Sequence, residues 1–308
     1  MNWLTKSAVA VVVAFISNMA AAGPVTLNTG KIQMGVDDNG GLGGNGVGLV
    51  GPTGDAIIPG CLCEGWGAAA NGTSGYTYGG ATSNITSGTT SATVTSGSGM
   101  SAQSVVALGN GLGVIHSYSS AANGSLIKVN VLLQNNSSEL LSNVRYARTL
   151  DWDVTPGFFS GNFTTIYGGT PTGIGGKVLN TSTDPFAAPD PMVFRIRDRD
   201  TNVQDQPGDL GSYFVFGFGD LSAGASISFD TYIGADISVA GLLSAFGSVG
   251  VEAYSYTTGN TGAPAYGYGF VGLGLDPALP GTEVPEPATL ALFGLALAGM
   301  TTLRRRAR

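Results

Sequence analysis

The stretch VRYARTLDWDV, from Val144 to Val154, decides the fold class because two kinds of side chain alternate along it. The even-numbered positions carry Val, Tyr, Arg, Leu, Trp and Val, and most of the odd-numbered positions are polar. A two-residue period places successive side chains on opposite faces of an extended chain. The stretch therefore predicts a half-buried β-strand. Arg148 falls on its core face, where a buried guanidinium needs a carboxylate partner.

Other segments repeat this period, and turn residues separate them. Glycine alone supplies 50 of the 308 residues, and Ser, Thr and Asn are abundant, as suits short strands joined by many turns. The alternating runs are Ile127–Leu133, Phe214–Phe218 and Ile227–Ile233. Apolar residues between Val239 and Phe246 instead have helical spacing, with Asp236 or Ser238 as N-cap and Gly247 as the end. We predict an all-β fold, mainly an antiparallel β-sandwich with one short helix.

Composition limits the partners of the chain. Charged residues make up 11 % of it, the net charge is −7, and much of the positive charge lies at the two ends. An acidic domain repels phosphate backbones, which argues against nucleic acid as a partner and favours divalent cations.

The first 22 residues have the features of a secretory signal peptide. A lysine precedes the nine-residue apolar run AVAVVVAFI, which is too short to span a bilayer. Ala20 and Ala22 place small residues at the −3 and −1 positions of a cleavage site. We therefore expect a signal helix and removal by signal peptidase before Gly23.

A second terminal segment occupies residues 281–308. The uncharged run 288–303 covers about 24 Å as a helix, which is short but workable for a membrane span with flanking arginines. By the positive-inside rule, a transmembrane helix here keeps its basic end in the cytoplasm and the preceding domain outside. The arginines at that end are Arg304, Arg305, Arg306 and Arg308.

Pro285, Glu286 and Pro287, followed by an apolar helix and a terminal arginine cluster, resemble the PEP-CTERM sorting signal. The resemblance implies recognition of these three residues by an exosortase, a membrane enzyme that cleaves near the motif. It also implies a Gram-negative host that makes exopolysaccharide. The protein is then anchored transiently in the inner membrane before it reaches the cell surface or matrix.

Four internal strings resemble a domain common in PEP-CTERM proteins of unknown function, and that resemblance implies no activity. The strings are GCLCEGWG (60–67), RTLDWDVTP (148–156), FGFGDLSAGASISF (216–229) and VEAYSY (251–256). The chain thus divides into a signal peptide (1–22), a β-rich extracytoplasmic domain (23–280) and a sorting and anchor segment (281–308).

We expect a non-enzymatic protein with a structural role in the envelope, biofilm or exopolysaccharide matrix, and without a cofactor. The alternative is an exopolysaccharide-binding module that uses exposed aromatic side chains. These would be Trp66, Tyr76, Tyr78, Tyr266 and Tyr268. An ice-binding role is less expected, because the threonines between 89 and 95 are irregularly spaced.

A candidate calcium loop is the best-spaced set of ligands. Oxygen-bearing side chains at alternate positions followed by later carboxylates are typical of Ca²⁺ loops, although Val203 occupies the position where an EF-hand has glycine. The alternative is a solvated acidic loop with local Arg–Asp pairs. The candidate ligands are Asp198, Asp200, Asn202, Asp205 and Asp209.

Three further features have alternative interpretations. Asp151 and Asp153 lie two residues apart, either as the carboxylates of a glycoside hydrolase or, as we favour, in a hydrogen-bonded surface ladder. His116 is expected to be structural. Cys61 and Cys63 are a local disulfide, two thiols in a turn, or a metal or lipid attachment point.

We predict that the exported protein begins at Gly23, because the small residues that signal peptidase requires end at Ala22. N-terminal sequencing of the surface form measures this directly. An intact Met1 on that form would contradict the signal-peptide interpretation.

Overall fold

The computed structural model describes residues 23–95, 99–168, 177–195, 203–204, 207–275 and 278–279. The predicted signal helix, transmembrane helix and sorting residues lie outside these ranges. Within them, no helix has the length and apolar character needed to cross a membrane.

Strands dominate the described residues, and we number them in chain order. They are β1 (Val25–Asn28), β2 (Gln33–Val36), β3 (Leu49–Gly51), β4 (Gly54–Asp55), β5 (Gly65–Ala70), β6 (Thr73–Tyr78), β7 (Ala81–Ser83), β8 (Ile85–Thr95), β9 (Gly99–Leu108), β10 (Leu112–Ala121), β11 (Leu126–Asn135), β12 (Leu141–Asp151), β13 (Phe163–Tyr167), β14 (Val178–Ser182), β15 (Val203–Gln204), β16 (Gly211–Leu221), β17 (Ser226–Asp236), β18 (Ala253–Thr258) and β19 (Ala265–Val271). The α-helix α1 spans Val239–Ser248, and 3₁₀ turns occupy Gly44–Gly46, Ala122–Gly124 and Phe158–Ser160.

These strands form three sheets whose neighbours pair antiparallel. The largest has nine strands in the order β15-β13-β18-β19-β17-β11-β10-β9-β8. The second has six strands, β14-β16-β12-β5-β6-β7, and the third has four, β1-β2-β3-β4. The prediction of antiparallel sheets with one short helix is confirmed.

Aromatic side chains fill the space between the nine-stranded and six-stranded sheets, which pack face to face. Tyr146 of β12 meets Phe229 of β17 with ring centroids 5.1 Å apart, and Phe216 of β16 meets Phe270 of β19 at 4.5 Å. Both pairs are edge-to-face, a favoured arrangement for buried rings. The small sheet joins the same core through side chains such as Met34, which is fully buried.

The fold-deciding strand β12 is buried more completely than its alternation predicts. Its core face is buried as expected, but Ala147 and Thr149 on the opposite face are also 0 % exposed. Residues 184–191 run across that outer face. They are fixed there by hydrogen bonds from Tyr213 Oη to the carbonyl of Asp190 (2.9 Å) and from Arg145 Nη1 to the carbonyl of Pro191 (3.3 Å). The prediction that only one face of β12 is buried is therefore wrong for the C-terminal part of this strand.

The helix forms where its spacing predicted it. Ser238 is the N-cap, and its Oγ accepts a hydrogen bond of 3.0 Å from the backbone N–H of Gly241. The helix buries Leu242 and Phe246, and the Phe246 ring lies 5.9 Å from that of Tyr254. This face anchors α1 on the nine-stranded sheet, beside β17 and β19.

The edge of the nine-stranded sheet is formed by β8. This strand lies in the Thr- and Ser-rich stretch 82–98. At its middle, the backbone N–H of Gly23 donates a 2.8 Å hydrogen bond to the carbonyl of Thr90. The start of the domain therefore covers part of an edge whose backbone groups would otherwise need solvent or another strand.

A buried ion pair lies between the sheets. Arg148 of β12 contacts Glu64, the residue before β5, and each side chain is 1 % exposed. The other Glu64 oxygen accepts a 2.6 Å hydrogen bond from the backbone of Leu42. Burial raises the pKa of Glu64 to about 7, against the opposing charge of Arg148. Burial disfavours the cation too, but the Glu64 carboxylate holds the pKa of Arg148 above its usual value. The expected partner of Arg148 is thus confirmed.

Hydrogen bonds around this pair hold a loop, residues 37–42, inside the fold. Trp66 Nε1 donates to the carbonyl of Asn39 at 2.8 Å, and Tyr118 Oη donates to the carbonyl of Gly40 at 2.9 Å. The donors come from the six-stranded and nine-stranded sheets, and the loop follows β2 of the small sheet. The loop therefore connects all three sheets.

We predict that Arg148→Met lowers the free energy of unfolding by about 3–5 kcal/mol at pH 8, because it leaves a buried carboxylate without its cation. The loss should be smaller at pH 5, where Glu64 can bind a proton. Adding Glu64→Gln should recover most of it, since the amide oxygen still accepts from Leu42 without a buried charge. Urea denaturation of the three proteins at both pH values measures this. An equal loss at both pH values in Arg148→Met would contradict the charge argument.

Candidate functional site

Three carboxylates from distant parts of the chain meet where β12 ends and β16 begins. Asp151 is the last residue of β12, Asp153 follows it by two residues, and Asp209 lies two residues before β16. One carboxylate oxygen from each lies within 4.8 Å of the other two. Since β12 pairs with β16 and Asp151 stands opposite Gly211, the sheet register brings Asp209 to this end.

Backbone hydrogen bonds fix the residues that carry these carboxylates. The N–H of Asp151 donates to the carbonyl of Cys63 at 3.1 Å, and the N–H of Asp153 donates to that of Ala56 at 2.9 Å. Asn162 and Gly208 exchange two backbone hydrogen bonds of 3.2 and 3.0 Å, which positions the residue before Asp209. Backbone hydrogen bonds therefore hold in place the segments that carry the cluster.

Trp152 separates the two carboxylates of the 151–153 stretch and points into the core. Its ring is fully buried, and Nε1 donates a 2.8 Å hydrogen bond to Ser212 Oγ. The side-chain amide of Asn162 donates to the Trp152 carbonyl, while Asn162 Oδ1 is buried without a hydrogen-bond partner. Anchoring the indole on one side directs Asp151 and Asp153 together to the other.

The carboxylates are buried, yet most of their oxygens lack hydrogen bonds. Asp151 is 2 % exposed, Asp153 is 0 % exposed and Asp209 is partly exposed. Among the described residues, neither oxygen of Asp153 has a hydrogen-bond partner, nor does Oδ1 of Asp151 or of Asp209. The ion pairs found among the described residues, Lys128–Asp230 and Arg148–Glu64, do not involve the cluster. Buried oxygens of this kind cost free energy unless something binds them.

The pKa values of all three groups are raised. Burial raises the pKa of Asp151 to about 8, with the charges of Asp153 and Asp209 adding to the rise and the Trp152 N–H lowering it. Burial likewise raises the pKa of Asp153 to about 7, and Asp209 adds to it. The pKa of Asp209 itself is raised by burial.

Cys61 and Cys63 lie beside the cluster and form a disulfide. Of the alternatives left open for these cysteines, the structure has the local bridge. Cys61 Sγ is 3.5 Å from Asp151 Oδ2. A disulfide sulfur carries no proton to donate and no thiolate charge, so this contact neither satisfies the carboxylate nor supplies a metal thiolate.

Gly60 and the ring of Phe159 lie next to Asp153 of the cluster. Gly60 has a φ of +79°, and a Cβ placed there would contact the Phe159 ring and lie 3.3 Å from Asp153 Oδ2. The Phe159 side chain is 52 % exposed. Glycine is therefore required at position 60 by its backbone conformation and by the closeness of these neighbours.

The interpretation of Asp151 and Asp153 as a hydrogen-bonded surface ladder is wrong. Asp153 lies beyond the end of β12, both side chains are buried, and neither oxygen of Asp153 is hydrogen bonded. The covering segment 184–191 and the turn at 60–63 enclose an outer face that alternation alone assigned to solvent.

The structure describes the candidate calcium loop only in part, at residues 203–204 and 207–209. Asp198, Asp200, Asn202 and Asp205 lie outside the described residues, whereas Asp209 belongs to the cluster with Asp151 and Asp153. Sequence spacing alone could not reveal this grouping, because it depends on the register between β12 and β16.

The aromatic surface expected for sugar binding is largely internal. Trp66, Tyr266 and Tyr268 are at most 1 % exposed, so the expectation that they are exposed was wrong. Tyr76 and Tyr78 are partly buried.

His116 is a core residue, as expected. It is fully buried, and Nε2 lies 3.1 Å from Tyr146 Oη. Burial lowers its pKa well below the usual value, so the ring is neutral.

Comparison with known proteins identifies the C-terminal segment. Residues 283–306 match the PEP-CTERM protein-sorting motif, which confirms the resemblance drawn from Pro285, Glu286 and Pro287. No curated protein matches the chain at a significant level. The motif implies an exported protein that is processed by an exosortase and sorted to the cell surface, and it leaves the central domain unassigned.

We predict that, with a chelator present, Asp153→Asn raises the free energy of unfolding at pH 8 and flattens its pH dependence. The pKa of this group is about 7 in the folded protein against a usual 3.8, so the folded state holds the proton more tightly. The free energy of unfolding therefore falls as the pH rises through that interval, by up to about 1.4 kcal/mol per pH unit for one group. Urea denaturation between about pH 4 and 8 measures the slope. Identical slopes in both proteins would show that the pKa is not raised.

Proposed function

We propose that the β-domain, residues 23–280, is a non-enzymatic structural component of the cell surface or exopolysaccharide matrix, delivered there by exosortase processing. The observation that carries this proposal is the PEP-CTERM motif at residues 283–306. A sorting motif supplies a destination and no reaction. A structural role is the simplest use of a rigid domain delivered in that way.

The sequence of the C-terminal tail supports processing in two stages, membrane insertion followed by cleavage. The apolar run 288–303 first holds the precursor in the inner membrane, with the terminal arginines on the cytoplasmic side. An inserted helix is a nearly irreversible tether, so release requires covalent cleavage. Pro285 and Pro287 keep the preceding segment extended and remove two backbone donors, which leaves it accessible to a membrane enzyme. Glu286 between them offers that enzyme a charged group to recognise.

The described domain suits a location outside the cytoplasm. The Cys61–Cys63 disulfide persists in an oxidising compartment. The net charge of −7 disfavours nucleic acid. The loop at 37–42, bonded to two sheets and following a strand of the third, is a feature of a rigid domain rather than of a mobile regulatory one.

We do not assign the carboxylate pair to glycoside hydrolysis. At 2 % and 0 % exposure, Asp151 and Asp153 leave no room between them for a sugar ring and its attacking water. The partners that we propose are signal peptidase and exosortase during export, and exopolysaccharide at the destination.

We predict that Glu286→Gln slows cleavage and leaves the domain attached to its membrane helix, because the variant removes the charge offered to the enzyme. Asp276→Asn is the matched control, since it also replaces one carboxylate by its amide but lies before the matched motif. Intact mass of the domain in membrane, surface and medium fractions measures processing. The cohesion of flocs or biofilm formed by the same strains measures the structural role.

Two outcomes would count against the proposal. Surface protein that still carries residues 288–308 in cells with an active exosortase would reduce the tail to a plain anchor. Normal cohesion in cells that fail to release the domain would remove the structural role while leaving the sorting route intact.

A further inference from the structure

We propose that Asp151, Asp153 and Asp209 form a binding site for one hard divalent cation, Ca²⁺ in the exported protein. This inference goes beyond the proposed function and does not depend on it. It replaces the ligand set expected from sequence spacing, with which it shares only Asp209.

The geometry is that of a compact oxygen site. Three carboxylates, one oxygen from each, lie within 4.8 Å of one another. Two oxygens bound to the same Ca²⁺ are each 2.3–2.6 Å from it, so pairs of ligand oxygens are separated by at most about 5 Å. The three groups can therefore contact one ion without rearrangement of the strands that carry them.

The burial of Asp153 is an independent indication of a ligand. Its side chain is 0 % exposed and directed at the other two carboxylates, and neither of its oxygens accepts a hydrogen bond from the part of the chain that the structure describes. A carboxylate with two unpaired oxygens is rare in a protein interior, where polar groups are almost always paired. A bound cation would satisfy both oxygens and offset the repulsion among three like charges.

The donor set selects the class of ion. The three side chains offer only carboxylate oxygens, and the neighbouring Cys61 and Cys63 are consumed in a disulfide. All-oxygen sites suit Ca²⁺, Mg²⁺ or Mn²⁺ rather than metals that prefer nitrogen and sulfur. Ca²⁺ tolerates irregular geometry, whereas Mg²⁺ demands a near-ideal octahedron and retains its water. An irregular junction of strand ends therefore favours Ca²⁺.

The ion would join segments that no covalent bond links directly. Asp151 ends β12, and Asp209 precedes β16. The turn at Gly60 packs next to Asp153. An ion that binds only the folded state stabilises it by an amount that rises with the logarithm of the ion concentration once that concentration exceeds Kd. The expected consequence is a calcium-dependent increase in the melting temperature.

The experiment uses the exported protein, stripped with chelator and titrated with Ca²⁺ by isothermal titration calorimetry and thermal denaturation. We expect one ion per chain, an affinity in the range of about 10⁻⁴–10⁻³ M that is typical of extracellular calcium modules, and weaker binding of Mg²⁺. Asp153→Asn and Asp209→Asn should each weaken Ca²⁺ binding by at least about tenfold, since each removes a charged ligand.

Asp184→Asn is the matched control. Its charge contributes to the pKa of Asp151, but it lies outside the group of three, and an Asn oxygen can still accept from the N–H of Phe186. This variant should change the affinity by less than about threefold. A loss equal to that of the cluster variants would mean that general negative charge, and not ligation, attracts the ion.

The outcomes separate this site from the loop expected from sequence. Asp209 belongs to both sets, but Asp153 belongs only to the cluster. Binding lost in Asp209→Asn and retained in Asp153→Asn would overturn the proposal in favour of the loop. Absence of both binding heat and a thermal shift at 10 mM Ca²⁺, roughly ten times the weakest affinity expected, would overturn it altogether. Should Asp153→Asn fail to fold, Asp151→Asn provides the same discrimination.

Discussion

The buried ion pair between Arg148 and Glu64 is the interaction on which the arrangement of the sheets depends. Removing either charge from water costs several kcal/mol, so the pair is tolerated only where each partner is completed by the other and by neighbouring groups. Glu64 meets that condition by accepting from Leu42, and the loop containing Leu42 is in turn bonded to Trp66 and Tyr118. Because β12 and β5 are neighbours, the ion pair holds this loop against the six-stranded sheet, and a shift of the nine-stranded sheet would break the contact of Tyr118 with the same loop.

The carboxylate cluster at the end of the same strand is the opposite case. Around Arg148, the fold supplies a counter-charge. Around Asp153, the described residues supply two more carboxylates and no hydrogen bond to either oxygen. Two buried charged groups a few residues apart on one chain thus have contrasting environments. The first has its counter-charge within the protein, whereas the second has none among the described residues and needs a proton or an ion from outside.

The local features of the fold were predictable and the covering of its faces was not. Alternation identified β11, β16 and β17, and helical spacing with Ser238 identified α1, because these signals come from neighbouring residues. Asp151 and Asp153 were wrongly assigned to the surface. Residues 184–191 cover their outer face, and this covering segment has no periodic pattern from which its position could be predicted. Asp209 joins them through strand register, which a single sequence does not display. The sorting motif could be recognised from the sequence because its residues follow one another along the chain.

The hydrogen bond between Gly23 and Thr90 constrains the order of events during export. Gly23 is the first residue expected to remain after signal removal, and β1 begins only two residues later, at Val25. A peptidase needs several residues of extended, accessible chain on both sides of the bond that it cuts. Once β1 has docked and the backbone N–H of Gly23 is bonded to β8, the chain at the cleavage site is no longer accessible to the peptidase. We therefore expect removal of the leader to precede the docking of β1, which makes N-terminal processing an early step of folding.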